Sequence, residues 1–196
     1  MKRLLLSSIL LLTFMVGPSG SFGADFQKGT DAAQRGDFAT ALKEWKPLAE
    51  QGDAHAQFNL GVMYKNGLGV TQDDKTAVKW YTRAAEQGIA PAQNNLGHMY
   101  QNGKGVPRDH AEAFKWYRFA ANQGVADAQL NLGVMYGNGY GVIQDYTRAL
   151  MWWTIAASQG DGTARKNRDI VENKISPADV SKARKLAREW MDKHRK

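Results

Sequence analysis

A 36-residue period running through the middle of the chain constrains its fold more than any other feature. Three windows align without gaps, at residues 51–86, 87–122 and 123–158, and a fourth copy begins at Gln159-Gly160. The windows read QGDAHAQFNLGVMYKNGLGVTQDDKTAVKWYTRAAE, QGIAPAQNNLGHMYQNGKGVPRDHAEAFKWYRFAAN and QGVADAQLNLGVMYGNGYGVIQDYTRALMWWTIAAS. A fixed period of this length predicts a stack of equivalent supersecondary units.

Each window contains the motif N-G-x-G-V, which by its glycine content resembles a phosphate-binding loop. A phosphate loop normally occurs once, between a strand and a helix. Here the glycines recur with the period, as in NLGVMYGNGYGV at residues 131–142, and no strand pattern precedes them. They are therefore predicted to be turns that let the chain reverse within an αα-hairpin.

Two helical patterns flank this turn in every repeat. In the first window, apolar residues at helical spacing give one buried stripe before the turn and another after it: Ala56, Leu60, Met63 and Tyr64, then Ala77, Trp80, Ala84 and Ala85. Gly67 is predicted to end the first helix, because glycine adopts the left-handed conformation that closes a helix.

Three recurring positions are predicted to have structural roles. The carboxylates of Asp73, Asp109 and Asp145 are expected to cap the second helix of each repeat, and Asp109 with Glu112 fits a capping box. Glycine inside the first helix costs about 1 kcal/mol relative to alanine. Its recurrence predicts close packing of the first-helix glycines on the tryptophans of the second helix: Gly61, Gly97 and Gly133 on Trp80, Trp116 and Trp152.

The two ends differ from the repeats, as the capping units of a stack should. Residues 25–50 are predicted to form an N-terminal capping hairpin around the turn Arg35-Gly36-Asp37. Residues 159–196 are predicted to be a partial repeat followed by basic capping helices. Ser176 and Pro177 form a strong helix start, with serine as cap and proline in the first helical position. The whole pattern predicts an all-α chain of about ten helices.

Residues 1–24 have the layout of a secretory signal peptide. Lys2 and Arg3 precede an apolar run from Leu4 to Val16, which is too short to span a bilayer, since about 20 residues are needed. Cleavage is expected after Gly23 or Ala24. The mature protein is predicted to be periplasmic or secreted, without stable membrane insertion.

Charge is unevenly distributed along the chain. Residues 25–160 carry thirteen Lys/Arg and thirteen Asp/Glu, whereas residues 161–196 carry eleven and six, a net charge of +5. A neutral body argues against nucleic-acid binding, which requires a basic stripe. The basic tail allows two interpretations, a solvated capping face or a segment that docks on an anionic surface of the cell envelope.

The repeat pattern resembles the Sel-one-like repeat (SLR), a relative of the tetratricopeptide repeat. Fourteen positions of the first window carry it and recur in both later copies, with one lapse, Trp153 for tyrosine: Ala56, Leu60, Gly61, Tyr64, Gly67, Gly69, Val70, Asp73, Ala77, Trp80, Tyr81, Ala84, Ala85 and Gly88. The resemblance implies a right-handed α-solenoid of αα-hairpins that acts as an adaptor or scaffold in protein assemblies. It also implies export, since many bacterial members are exported.

An enzymatic function finds little support in the residues. No cysteine is present, and only Ser158, Ser176 and Ser181 remain as serine nucleophiles after signal cleavage. No two histidines share one helix at the i, i+4 spacing of a zinc pair, so neither a metal nor a cofactor is predicted. An enzymatic alternative is implied by the resemblance to Sel-one-like repeat proteins, because the cysteine-rich branch of that family is associated with β-lactam binding or hydrolysis. This chain lacks that branch's paired cysteines.

The predicted function is therefore binding of a protein or peptide partner by a monomer. The predicted binding face lies on the first helix of each repeat, opposite its buried stripe, and comprises His55, Phe58, Asn59, Val62, Lys65, Asn94, Asn95, His98, Gln101, Asp127, Leu130, Asn131 and Val134. Asn59, Asn95 and Asn131 occupy one recurring position. They are predicted either to form a ladder of amides for a partner's backbone, or each to brace its own repeat.

Overall fold

A computed structural model describes residues 20–194. The described part of the chain contains ten helices and no strand, which confirms the helix count predicted from the repeats. The helices are α1 Gly20–Gln34, α2 Phe38–Glu50, α3 Ala54–Asn66, α4 Asp74–Glu86, α5 Ala90–Asn102, α6 His110–Asn122, α7 Ala126–Asn138, α8 Tyr146–Ser158, α9 Gly162–Glu172 and α10 Pro177–His194. Most of the predicted signal peptide lies outside the described residues.

The helices divide between two compact units. Of the described residues, the first unit contains 20–92 together with Lys104–Val106, and the second contains Gln93–Gly103 together with 107–194. In the first unit, α3 packs against both α2 and α4. In the second unit, α7 packs against α6 and α8, and α8 also contacts α9 and α10. Each unit is thus built from neighbouring αα-hairpins, as the predicted solenoid class requires.

Each unit has its own hydrophobic core. The core of the first unit includes Trp45, Leu60 and Met63, all at most 2% exposed. The core of the second unit is built largely from fully buried residues of α6, α7 and α8, among them Tyr117, Leu132, Met135, Leu150 and Ile155. Leu60, Met63, Leu132 and Met135 lie on the first-helix stripe predicted from the repeats. Tyr117, Leu150 and Ile155 are not among the positions predicted for the second-helix stripe.

The predicted aspartate caps are confirmed. Asp73 accepts hydrogen bonds from the backbone N–H groups of Lys75 and Thr76, and its carboxylate also accepts one from the Thr76 hydroxyl. The bonds from Thr76 hold the pKa of Asp73 below its usual value. Asp109 accepts from the N–H groups of Ala111 and Glu112, and Asp145 accepts from the N–H of Arg148. The capping box predicted for Asp109 is incomplete, because the Asp109 N–H donates to the Tyr100 carbonyl and the Glu112 carboxylate pairs with Lys115. Each carboxylate therefore satisfies donors that a helix start leaves free.

The glycines inside the first helices do approach aromatic rings, but the predicted partners Trp80, Trp116 and Trp152 are wrong. A Cβ at Gly61 or Gly97 would press on the ring of Tyr81 or Tyr117, and one at Gly133 on Trp153. Successive residues of a helix point about 100° apart. The aromatic residue one position later therefore faces the glycine, while Trp80, Trp116 and Trp152 turn to another side and are still at most 8% exposed.

Paired glutamines join the helices within each repeat. The first glutamine of each pair is at most 5% exposed: Gln57, Gln93 and Gln129. Its side-chain oxygen accepts a hydrogen bond of 2.7 to 2.8 Å from the side-chain amide of the second glutamine, which is Gln87, Gln123 or Gln159 respectively. In the second unit, the amide nitrogen of Gln129 also donates to the Ala121 carbonyl at the end of α6. Gln129 thus links three helices, α6, α7 and α8. The recurring glutamines were visible in the sequence, but they were not predicted to pair.

Within the N-G-x-G-V turns, the two glycines have different roles. The first ends the helix in a left-handed conformation, as predicted, with a φ of 65° at Gly67 and 71° at Gly139. The second contacts the preceding hairpin. At Gly69, an added Cβ would lie 2.8 to 2.9 Å from atoms of Phe38, the first residue of α2. The turn therefore also joins one hairpin to the next, a contact that was not predicted from the sequence.

Candidate functional site

In the first unit, most of the predicted binding face is buried. Phe58, Asn59 and Val62 are only 2 to 3% exposed, so the prediction that they face a partner is wrong. The reason is that α3 lies between α2 and α4, and neighbours cover more than one of its sides. The Phe58 ring lies 6.0 Å from the Tyr81 ring. Phe58 is thus a core residue of its hairpin.

Two further predicted residues of the first unit are partly exposed. The His55 ring makes an edge contact with Phe26 of the capping hairpin, with the ring centroids 6.3 Å apart. Lys65 lies near the end of α3, where burial and then the like charge of Lys104 lower its pKa. Neither residue has exposed predicted neighbours on its own helix, so the first unit presents no continuous binding face there.

In the second unit, the predicted face is largely accessible. Asn95, His98, Gln101, Leu130, Asn131 and Val134 are half-buried, and Asp127 is exposed. Asn94 departs from the prediction, because its side chain is 8% exposed and its Oδ1 atom is buried without a hydrogen-bond partner. The face therefore consists of α5 and α7 residues with both amide and apolar character.

His98 connects the two helices of this face. Its Nε2 atom lies 3.5 Å from Nδ2 of Asn131, so side chains on α5 and α7 are within hydrogen-bonding reach. The His98 ring stands edge-on to Tyr117, with the centroids 5.3 Å apart. The Tyr117 hydroxyl donates to Oε1 of Gln101, and burial raises the pKa of that hydroxyl well above its usual range. Packing on Tyr117 thus orients both His98 and Gln101.

The register of the face recurs on α9, which packs against α7 and was not among the predicted helices of the face. Counting from Gln159-Gly160 in the register of the repeats, Asn167 occupies the position of Asn95 and Asn131. Asn167 is half-buried, and Ile170, in the register of His98 and Val134, is 56% exposed. We call the set Asn95, His98, Asn131, Val134, Asn167 and Ile170 the amide face. The register of the fourth copy was the signal that could have revealed its last two members.

The groups of the amide face are suited to binding an extended peptide. A side-chain amide can both donate and accept hydrogen bonds, which suits the backbone of an extended peptide. Val134 and Ile170 add apolar contact area beside the amides. Within residues 20–194, no three His, Asp or Glu side chains gather closely enough to hold a metal ion.

The basic tail forms a packed cap in this structure. Trp190 of α10 stands edge-on to Trp152 of α8, with ring centroids 5.8 Å apart, and Ala183 and Ala187 are fully buried. Part of its charge is paired, since Arg184 binds Glu172 at 3.0 Å and Arg168 binds Asp169 at 2.8 Å. The predicted start of α10 is confirmed, because the Ser176 hydroxyl accepts a hydrogen bond from the Asp179 N–H.

Three consecutive segments, residues 54–89, 90–125 and 126–161, match the Sel1 repeat family. The chain belongs to the Sel1 repeat family. Proteins with Sel1 repeats are generally scaffolds for protein interactions. No curated protein matches the chain. None of the helices between residues 20 and 194 combines the length and apolar character that crossing a bilayer requires.

Solved structures of Sel1 repeat proteins are similar to the chain. A Sel1 repeat protein from Oxalobacter formigenes is 31% identical with a TM-score of 0.71, over 88% of this chain and 73% of that one. The protective antigen c5321 of uropathogenic Escherichia coli is 29% identical with a TM-score of 0.56, over 88% of this chain but 46% of that one. Cysteine-rich protein B of Helicobacter pylori is 20% identical with a TM-score of 0.52, covering 67% and 95%. At that identity the likeness shows the fold alone.

Proposed function

We propose that this Sel1 repeat protein binds an extended segment of a partner protein along the amide face of its second unit, in an extracytoplasmic compartment. The contact between His98 and Asn131 carries the proposal, because it brings polar side chains of two first helices within reach of one ligand. A solenoid sets equivalent positions side by side, so Asn95, Asn131 and Asn167 supply one amide per repeat.

Neighbouring positions differ between repeats, which supports selectivity. In the register of Asn94, α7 has Leu130 and α9 has the exposed Lys166. In the register of His98, they have Val134 and Ile170. A partner would thus meet similar amides along its backbone but different side-chain environments from one repeat to the next. In recognition of this kind, hydrogen bonds to the partner's backbone supply affinity, and contacts with its alternate side chains supply specificity.

Site-specific photo-crosslinking in cells tests the proposed face. A photoreactive phenylalanine analogue at Val134 should capture a partner, because Val134 is half-buried within the amide face. The same analogue at Arg118, exposed on the second helix α6, is the matched control and should capture none. The double variant Asn95→Ala with Asn131→Ala should lower the yield at Val134 about tenfold, since few contacts carry most binding energy.

A third position in the crosslinking experiment addresses the rival role of the basic tail. The analogue at Lys185, which is exposed on α10, should not capture the partner. Capture from Lys185 alone, by protein whose helical circular dichroism is unchanged, would replace the amide face with docking through the tail. Equal capture from Val134 and Arg118 would count against any defined face.

Export rests on the layout of residues 1–24, and its test is direct. Protein recovered from the periplasm or the medium should begin at Ala24 or Asp25, following cleavage after Gly23 or Ala24. Mass spectrometry of the intact protein distinguishes the two starts from the full-length chain. Recovery of protein that keeps Met1 and stays in the cytoplasm would refute export while leaving the amide-face proposal intact.

A further inference from the structure

The second glycine of each N-G-x-G-V turn lies against the first residue of the preceding second helix. In the first unit, Gly69 lies on Phe38 of α2, and a Cβ at Gly105 would stand 2.5 Å from the carbonyl carbon of Asp74 of α4. In the second unit, a Cβ at Gly141 would stand 2.4 Å or less from atoms of His110 of α6, so that only glycine fits. Three helix starts are therefore covered by three turns.

The residue before each of these glycines complements the residue that starts the helix. Tyr140 stacks on His110, with the ring centroids 5.0 Å apart and the planes 14° from parallel. Lys104 is opposite in charge to Asp74, thirty positions earlier in the sequence. Leu68 and Phe38 are both apolar and pack against the same core. Each helix start thus receives a glycine backbone, and at His110 it also receives the ring of the preceding residue.

The start of α8 lacks such a turn. In the three complete repeats the second helix begins twenty residues after the first, as at Ala126 and Tyr146, but α10 begins fifteen residues after α9. The five missing residues remove the G-x-G segment, and Ser176, the N-cap of α10, stands thirty positions after Tyr146. No glycine of the fourth repeat is therefore available to cover this helix start.

The uncovered start of α8 differs from the three covered helix starts in both exposure and composition. Phe38, Asp74 and His110 are half-buried under their turns, whereas Tyr146 is 40% exposed. In the loop that leads to it, Tyr140 is 43% exposed and Ile143 is 89% exposed. The Gln144 amide donates to the Gly137 carbonyl and to the Tyr146 hydroxyl, which braces the loop. The start of α8 is thus an ordered apolar surface.

We propose that the start of α8, with Tyr140, Ile143 and Tyr146, is a second protein-docking surface, occupied by a glycine-containing turn of a partner protein. Continuity with the three internal contacts identifies the occupant. Its glycine would lie on the backbone of Tyr146, and the preceding residue, with an aromatic or other planar side chain, would stack on the Tyr146 ring as Tyr140 stacks on His110. This surface is independent of the amide face.

A cyclic peptide serves as the probe of this surface. It carries the sequence of residues 138–145, NGYGVIQD, closed by a disulfide between added terminal cysteines. At about 1 mM it should shift the backbone amide resonances of residues 143–148 of the full chain, because an isolated turn is expected to bind in the millimolar range. A matched peptide with alanine in place of the second glycine should bind at least about tenfold more weakly, since its methyl group would press on the helix start.

Two variants of the full chain complete the test. Replacing residues 173–176 with the sequence of residues 137–145 restores the missing turn. The restored turn should cover the start of α8 and so abolish the resonance shifts caused by the peptide. Ile143→Ser with Tyr146→Ser removes two exposed side chains and the bond from Gln144 to Tyr146, but it leaves the bond from Gln144 to the Gly137 carbonyl. It should also abolish the peptide shifts, so it decides the question if the restored-turn variant does not fold. Absence of shifts, equal shifts with the alanine peptide, equal shifts in both variants, or shifts confined to Asn95 and Asn131 would each overturn the proposal.

Discussion

Replacing Gly97 with leucine should lower the free energy of unfolding by about 3 kcal/mol, because the new side chain has no space. A Cβ alone at this position would lie 2.7 Å from two ring carbons of Tyr117. The ring cannot easily move aside, since its hydroxyl is bonded to Gln101 and the His98 ring packs edge-on against it. Urea denaturation followed by circular dichroism and by aromatic fluorescence would measure the loss.

Gly162→Leu is the matched control for this prediction. Gly162 also lies in a helix, but nothing surrounds it within 4 Å, so the same substitution should change stability by no more than about 0.5 kcal/mol. Gly97→Ala should cost less than Gly97→Leu, because it adds only a Cβ against the Tyr117 ring while both residues gain about 1 kcal/mol of helix propensity over glycine. Similar losses at Gly97 and Gly162 would show that the contact with the Tyr117 ring does not govern the effect at Gly97.

The same glycines show how far sequence reasoning reaches. The period, the helix stripes and the turn residues predicted the ten helices, because these features depend on residues close in sequence. The ring that meets Gly97 was not predictable in the same way. Trp116 and Tyr117 both recur with the period, and the one that faces α5 depends on how the two helices are rotated about their axes.

Burial of the predicted binding face depends on neighbours beyond a single repeat. Phe58 and Leu130 occupy the same register position, yet Phe58 is in the core and Leu130 is half-buried. The pattern of a single helix distinguishes its apolar side from its polar side. It does not indicate how many other helices pack against it. Asn167 was missed for a related reason, since α9 follows the repeat in register while most of its other residues depart from the pattern.

Contacts between neighbouring hairpins are a third feature that was not predicted, although the sequence contains a pattern that indicates them. The pairs Phe38 and Leu68, Asp74 and Lys104, and His110 and Tyr140 are each thirty residues apart. Their complementarity becomes meaningful only once the turn is known to lie on the preceding helix start. The glutamine pairs are also thirty residues apart, and they too join elements that a search within one helix cannot relate.

Gln129→Ala should also lower the free energy of unfolding by about 3 kcal/mol, through a cavity and the loss of two hydrogen bonds. Gln129 is fully buried; its amide nitrogen donates to the Ala121 carbonyl at 3.2 Å, and its oxygen accepts from Gln159 at 2.7 Å. Gln34 lies at the exposed end of α1. Gln34→Ala removes the same side-chain atoms at a solvent-exposed position, so it should change stability by no more than about 0.5 kcal/mol.

Two further variants separate the cavity from the hydrogen bonds at Gln129. Gln129→Leu retains most of the side-chain volume but neither bond, so it should cost about 1–2 kcal/mol, less than Gln129→Ala. In Gln159→Leu the Gln129 oxygen loses its donor, and combining the two leucine substitutions should cost less than their sum by about 0.5 kcal/mol or more, because they share one interaction. Strict additivity in urea denaturation would mean that the pair is not coupled and that packing alone accounts for the buried glutamine.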